Sequence, residues 1–177
     1  LPPELAVHLL KRPDCKIIFL RRRNLLQSVV SVMIAKQTQL WQKWEMTQPL
    51  EEHYRNLQPL DVQEIQEHVK SLRERLDFFE SIIDERSGND VIKLTYEELY
   101  FSDAPQQERQ IGAIWNLLKI APLELERYRR YLQPETARIN SPATYALLPD
   151  ANEIEDACGS DVTGHLLVAS QTKEQHG

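Results

Sequence analysis

Cysteine is nearly absent. Cys15 and Cys158 stand far apart and in no metal-ligand spacing, which argues against a disulfide framework or a thiolate metal site and reads as free buried thiols in a reducing compartment. Glycine is scarce too: there are five, none in a Gly-rich strand–helix loop, and no G-x-x-x-x-G-K occurs, which argues against a nucleotide kinase. A basic excess is missing, since Asp plus Glu outnumber Lys plus Arg by 27 to 21 and leave a net charge of −6. No nucleic-acid partner is therefore expected, because nonspecific binding needs a broad basic face. No apolar run approaches the ~18 residues of a membrane span. The opening LPPELAVHLLKRPDC has no charged-then-apolar signal layout, so a cytoplasmic protein is expected. Repeats and low-complexity segments are absent.

What is present suits one globular domain of residues 1–170 with a flexible tail at 171–177. A chain of 177 residues buries about two thirds of its unfolded surface. Its 41% apolar and 27% charged residues are those of a soluble fold. The organising stretch is Lys16–Trp44. Ile17-Ile18-Phe19-Leu20 reads as a strand, apolar on both faces and so expected in a covered parallel sheet. Arg21, Arg22 and Arg23 form a basic corner. Asn24 then caps a helix, with Gln27 three residues later as in a capping box, expected to run to about Trp44. Before this stretch, Pro2 to Leu10 predict a short helix with proline in its first turn, ended by Lys11-Arg12-Pro13-Asp14.

Beyond it, Glu51–Pro59 reads as a polar loop. Asp61 caps the clearest helix, in which Val62, Ile65, Val69, Leu72, Leu76, Phe79 and Ile83 form an a/d seam. Phe78 and Ile82 widen that stripe, which favours packing on the domain body over a dimer seam. Ser87–Asp90 is a turn and Val91–Leu94 a second strand. Thr95 and Glu98 form a capping box. Asp103 caps a helix whose buried face is Ile111, Ile114, Trp115 and Leu118, and another helix follows from Leu123 to Tyr131. Asn140–Asp150 reads as loop and Asn152–Cys158 as a short helix ending at Gly159. Gly164–Ala169 has no clear partner. Strands alternating with helices predict an α/β domain, although two strands alone make a small sheet.

The corner carries the chemistry. In extended backbone Arg21 and Arg23 point one way and Arg22 the other. Arg23 lies at the strand's carboxyl end, where open α/β sheets bind ligands, and a helix start offers free N–H groups to an anion. Ser31 is eight residues on, about two turns into the helix. Its hydroxyl could donate to an anion that Arg23 also holds. The bland reading of the same residues is three exposed arginines and a solvent-facing serine.

The run Ile17-Ile18-Phe19-Leu20, then Arg23-Asn24, then Ser31 resembles the 3′-phosphate-binding motif of sulfotransferases that use 3′-phosphoadenosine 5′-phosphosulfate (PAPS). Ala35-Lys36-Gln37-Thr38 through Trp41 looks most like the family's carbohydrate branch, whose known member sulfates a disaccharide. Tyr96-Glu97-Glu98-Leu99 resembles the family's Tyr-Glu-Asp-Leu segment, in which the Tyr lies near the adenine, and Leu117-Leu118-Lys119-Ile120 resembles the helix end after it. The resemblance spans residues 17–120. It implies a nucleoside-triphosphate-hydrolase-like parallel sheet flanked by helices, with Arg23 and Ser31 on the 3′-phosphate and Tyr96 beside the nucleotide. It also implies PAPS as co-substrate, no metal, and a hydroxyl acceptor on a small molecule, a carbohydrate or a glycolipid. The family's N-terminal strand–loop–helix, which cradles the 5′-phosphosulfate, has no counterpart, so the chain looks like the C-terminal portion of such an enzyme, with catalytic residues unassigned.

The other function class is a noncatalytic interaction or dimerisation domain, with the 62–83 helix as its partner or homodimer seam. Of the five histidines, His53 is in a loop that could face an acceptor, His68 lies on the polar side of its helix, and His176 is in the tail. Trp41, Trp44 and Tyr54 could stack on a sugar but more often belong to a core. Glu51-Glu52 and Glu97-Glu98 read as solvated faces or caps.

Overall fold

The computed structural model describes residues 3–41, 45–86, 90–133 and 140–168. Trp44, the Ser87–Asn89 part of the expected turn, His176 and the 171–177 tail lie outside them. The fold is mixed α/β, with a two-stranded parallel sheet flanked by helices.

Helix α1 (Pro3–Lys11) leads to strand β1 (Ile17–Arg21). Helix α2 (Leu25–Thr38) follows directly, with Asn24 as its cap. The expected run to Trp44 is corrected: Gln39 adopts the left-handed conformation (φ 57°), while Thr38 Oγ1 bonds back to Ile34 O and accepts from Leu40 N. That turns the chain and still buries Leu40. The polar loop of 51–59 instead opens with a short helix, α3 (Leu50–Tyr54), and its Tyr54 is 4% exposed.

Helix α4 (Val62–Asp84) starts where cap chemistry dictates, Asp61 Oδ1 accepting from the Gln63 and Glu64 amides. Strand β2 (Val91–Thr95) passes straight into α5 (Tyr96–Tyr100) through the Thr95–Glu98 capping box. Helix α6 (Ala104–Leu118), capped by Asp103, ends at a left-handed Lys119. It packs less deeply than its periodicity suggests, for Leu117 is its buried residue while Leu118 is exposed. The expected helix to Tyr131 divides into α7 (Leu125–Tyr128) and a 3-10 turn, Arg129–Tyr131. The supposed loop of 140–150 contains α8 (Pro142–Tyr145), closed by a Ser141–Thr144 capping box. Helix α9 (Ala151–Cys158) ends at Gly159.

The core lies between α2 and α4, and α9 packs on α4 and adds Ala151 and Ile154 to the same cluster. Leu26, Val30, Ile65, Tyr145, Ile154 and Leu166 are at most 2% exposed, and burying each apolar side chain of this size contributes about 1.5–3 kcal/mol. The α4 seam is spent here. Ile65, Val69 and Ile83 are buried and Leu72 and Leu76 pack against the cluster, whereas Phe78, expected to widen the stripe, is 51% exposed.

β1 and β2 pair in parallel from Ile17 with Val91 to Arg21 with Thr95. Parallel pairing needs a long crossover, and α2 to α4 supply it. The sheet is not covered on both faces as expected. On one face Leu94 of β2 is 3% exposed, while its register partner Leu20 is 46% and Ile18 41% exposed, so that face is open over β1.

Replacing Leu72 with Asp puts a charge against the core. L72D is expected to lose about 1–3 kcal/mol in urea unfolding, with no dependence on protein concentration. A dimer present in the wild type and dissociated by L72D in sedimentation would contradict this placement of the seam.

Candidate functional site

The parallel register sets two chain segments side by side. Arg21 and Thr95 are partners at the strand ends, so Arg22-Arg23-Asn24 and Tyr96-Glu97-Glu98 leave the sheet together at its carboxyl edge, where α/β folds place ligands.

Glu97 joins the two segments. Its Oε2 accepts from the Arg23 amide (2.9 Å) and its Oε1 from the Asn24 amide (3.2 Å). At 2% exposure it is buried, which corrects its reading as a solvated or capping residue. Glu98 does cap, but adjacent helical residues point different ways, so Glu97 turns toward the sheet corner.

The start of α2 offers no free backbone donor. Leu25 N donates to Arg23 O (3.0 Å), Leu26 N to Thr163 O (2.9 Å) and Ser28 N to Asn24 O (3.3 Å). Gln27 N donates to Asn24 Oδ1 (2.9 Å). The expectation that these amides hold an anion is therefore corrected: a carboxylate, a cap and a loop already use them.

That loop is the segment 160–168, a strap across the helix start. Ser160 and Gly164 exchange backbone bonds of 3.1 and 2.8 Å. Gly164 has φ +86°, and a Cβ there would sit 2.5 Å from Asn24 atoms, so only glycine fits. Asn24 Nδ2 donates to His165 O (2.7 Å), and Gln27 Nε2 to His165 O (3.1 Å) and Leu166 O (3.2 Å). From α9, Glu155 Oε2 accepts from Leu166 N (2.6 Å) and Leu167 N (3.0 Å), and Oε1 pairs with His165 Nδ1 (2.6 Å). Burial raises the Glu155 pKa, but the Leu167 amide, His165 and the Leu166 amide together outweigh it and hold the carboxyl below its ordinary value.

The three arginines have different partners. Arg21 lies on the α4 side, 2.7 Å from Glu80 and 3.2 Å from Asp77. Arg23, 48% exposed in its side chain, pairs with Glu98. Arg22 donates from Nη2 to Gln27 Oε1 (3.1 Å), and its guanidinium carbon lies 5.0 Å from the Tyr96 ring centre. Tyr96 also stacks on Tyr100 at 4.4 Å.

Arg23 and Tyr96, two of the expected site residues, thus flank one corner. Ser31 does not join them. It lies about 10 Å along the helix from Asn24, and its Oγ is 2.5 Å from Tyr145 OH, whose proton goes to Gln27 O (3.2 Å). The serine hydroxyl is therefore already bonded inward to Tyr145, and a ligand would have to open that bond.

The other candidates are scattered. His68 is exposed, with Nδ1 2.8 Å from Glu64 O. His53 is half-buried, with Nε2 buried and unpartnered among the described residues. Tyr54 bonds Asn140 inside the core and is not free to stack on a sugar, whereas Trp41 is 51% exposed. A groove of about 610 Å³ along Pro59, Leu148, Pro149, Asp150 and Leu167 includes none of the corner residues. Among the described residues, no helix is long and apolar enough to cross a membrane and no group of His, Cys, Asp and Glu could hold a metal ion. No family model, curated protein or solved structure matches the chain.

Sequence reasoning missed Glu97, Gly164 and Tyr145. Only Glu97 carried a local signal: its neighbour Glu98 was committed to the cap.

Two outcomes follow from this geometry. E97Q replaces one acceptor with an NH₂ facing a backbone N–H, and is expected to lose about 2–3 kcal/mol in urea unfolding at pH 7; a loss below about 0.5 kcal/mol would contradict the role of Glu97. For Glu155, whose folded-state pKa lies below the ordinary 4.5, the contribution is present above that value and is lost as pH falls through the lowered one. E155Q should therefore be less stable than wild type at pH 7, with the gap closing at acid pH. A gap that stays constant down to strongly acid pH would contradict it.

Proposed function

We propose that the corner binds the nucleotide end of PAPS, in a sulfotransferase that moves its sulfuryl group to a hydroxyl on a carbohydrate or glycolipid. One observation carries the reading. The resemblance assigns two stretches more than seventy residues apart, around Arg23 and around Tyr96, to one nucleotide site, and they begin at the paired residues Arg21 and Thr95 of adjacent parallel strands. The chemistry is consistent with this. A guanidinium fork matches phosphate oxygens, and an aromatic ring beside it suits a purine. The carboxyl edge of parallel strands is where a doubly wound, nucleoside-triphosphate-hydrolase-like sheet would take its ligand. Sulfuryl transfer further needs a base for the acceptor hydroxyl and cations at the bridging oxygen, and the reading assigns neither role to a residue of this chain. The recognition of this chain is for the donor's nucleotide end, and no metal enters the reading.

The alternative, an interaction domain built on the 62–83 helix, is favoured by no observation, since its seam lies against the core.

Thermal unfolding with adenosine 3′,5′-bisphosphate and with AMP tests the proposal. The bisphosphate is expected to raise the melting temperature more than AMP at equal concentration, by binding about tenfold tighter. The preference should vanish in the Arg22→Gln/Arg23→Gln double variant. Equal shifts by the two nucleotides in the wild type would overturn the reading.

A further inference from the structure

The three guanidiniums of the corner are spent unequally. Arg21 is neutralised by Asp77 and Glu80. Arg23 is neutralised by Glu98, whose other oxygen closes the capping box on Thr95 N (3.2 Å). Arg22 alone has no carboxylate partner among the described residues. It gives one bond to the neutral oxygen of Gln27, and its buried Nε has no acceptor there. A half-buried cation with unspent donors is costly, and an anion relieves the cost.

We propose that Arg22, and not Arg23, is the guanidinium that binds a phosphate monoester at this corner. The proposal rests on reading the corner as a phosphate site and changes which residue does the recognition. Arg22 is held ready for it. Its guanidinium carbon lies 5.0 Å from the Tyr96 ring centre, within reach of a cation–π contact that holds the group at the corner. Gln27 is fixed in turn, because its Nε2 is tied to His165 O and Leu166 O, which aims its oxygen at Arg22. An ordered fork loses less entropy on binding, whereas the charge of Arg23 is already shared with Glu98. The expected ligand class is a phosphate monoester on a nucleoside, with the oxyanion on Arg22 and Tyr96 alongside.

Calorimetric titration of adenosine 3′,5′-bisphosphate and AMP into the wild type, R22K and R23Q tests this. R22K keeps the charge and removes the fork, so bisphosphate affinity should fall by at least about tenfold. R23Q should lose less than about threefold, because it removes an exposed guanidinium already shared with the Glu98 carboxylate. The reverse ranking would overturn the assignment of Arg22 while leaving the nucleotide reading intact. A wild type with no preference for the bisphosphate would overturn that reading instead. The deciding observation is then the Arg22 Nε–Hε resonance of the wild type during titration with inorganic phosphate. A saturable shift supports an anion site at Arg22 without the nucleotide, and no shift overturns it. The same resonance decides the matter if R22K does not fold.

Discussion

One buried carboxylate sets the geometry of the corner. Glu97, carried on the short α5, spans the amides of Arg23 and Asn24 at the point where β1 gives way to α2. Without it two backbone donors would be buried and unpaired, a cost of about 1–3 kcal/mol each. The tie also fixes how the two segments leave the sheet. Because β1 and β2 pair through Arg21 and Thr95, a carboxylate two residues beyond one strand reaches the amides two and three residues beyond the other. Tyr96 lies between Thr95 and Glu97, so its ring meets Arg22 as a consequence of the same register.

The strap at 160–168 completes the arrangement from the far end of the chain. It supplies Thr163 O to the helix start and the His165 and Leu166 carbonyls to Gln27 and Asn24. Glu155 in turn anchors the strap. The amides at the start of α2 are therefore taken, which leaves side chains beside them to meet a ligand. A guanidinium suits that role, because it brings several donors in one rigid plane. The neighbouring acids divide the arginines, tying Arg21 to α4 and Arg23 to α5 and leaving Arg22 for an incoming anion.

Local chemistry was legible in the sequence and long-range chemistry was not. Asn24, Asp61, Thr95 and Asp103 announce helix starts because a cap is a contact across two or three residues, and each caps its helix in the structure. The end of α2 was hidden, since a left-handed Gln39 leaves no compositional trace. Tyr145 and Leu166 are fully buried yet sit in a one-turn helix and a loop, where isolated apolar residues have no period to reveal them. At the corner, the segments around Arg23 and Tyr96 leave paired positions of adjacent strands. The direction of Ser31 was not legible, because its partner Tyr145 lies 114 residues further on. Nor was the roster of partnered arginines, which depends on acids of α4 and α5.

The most direct test uses two ligands of identical composition and charge. Adenosine 3′,5′-bisphosphate and its 2′,5′ isomer, titrated into the wild-type protein by calorimetry, differ only in where the ribose phosphate lies. A corner built to read the 3′-phosphate with an oriented guanidinium fork should bind the 3′,5′ isomer about tenfold more tightly, a difference of about 1.4 kcal/mol. Equal affinities would mean that charge alone is sensed, and would contradict the account.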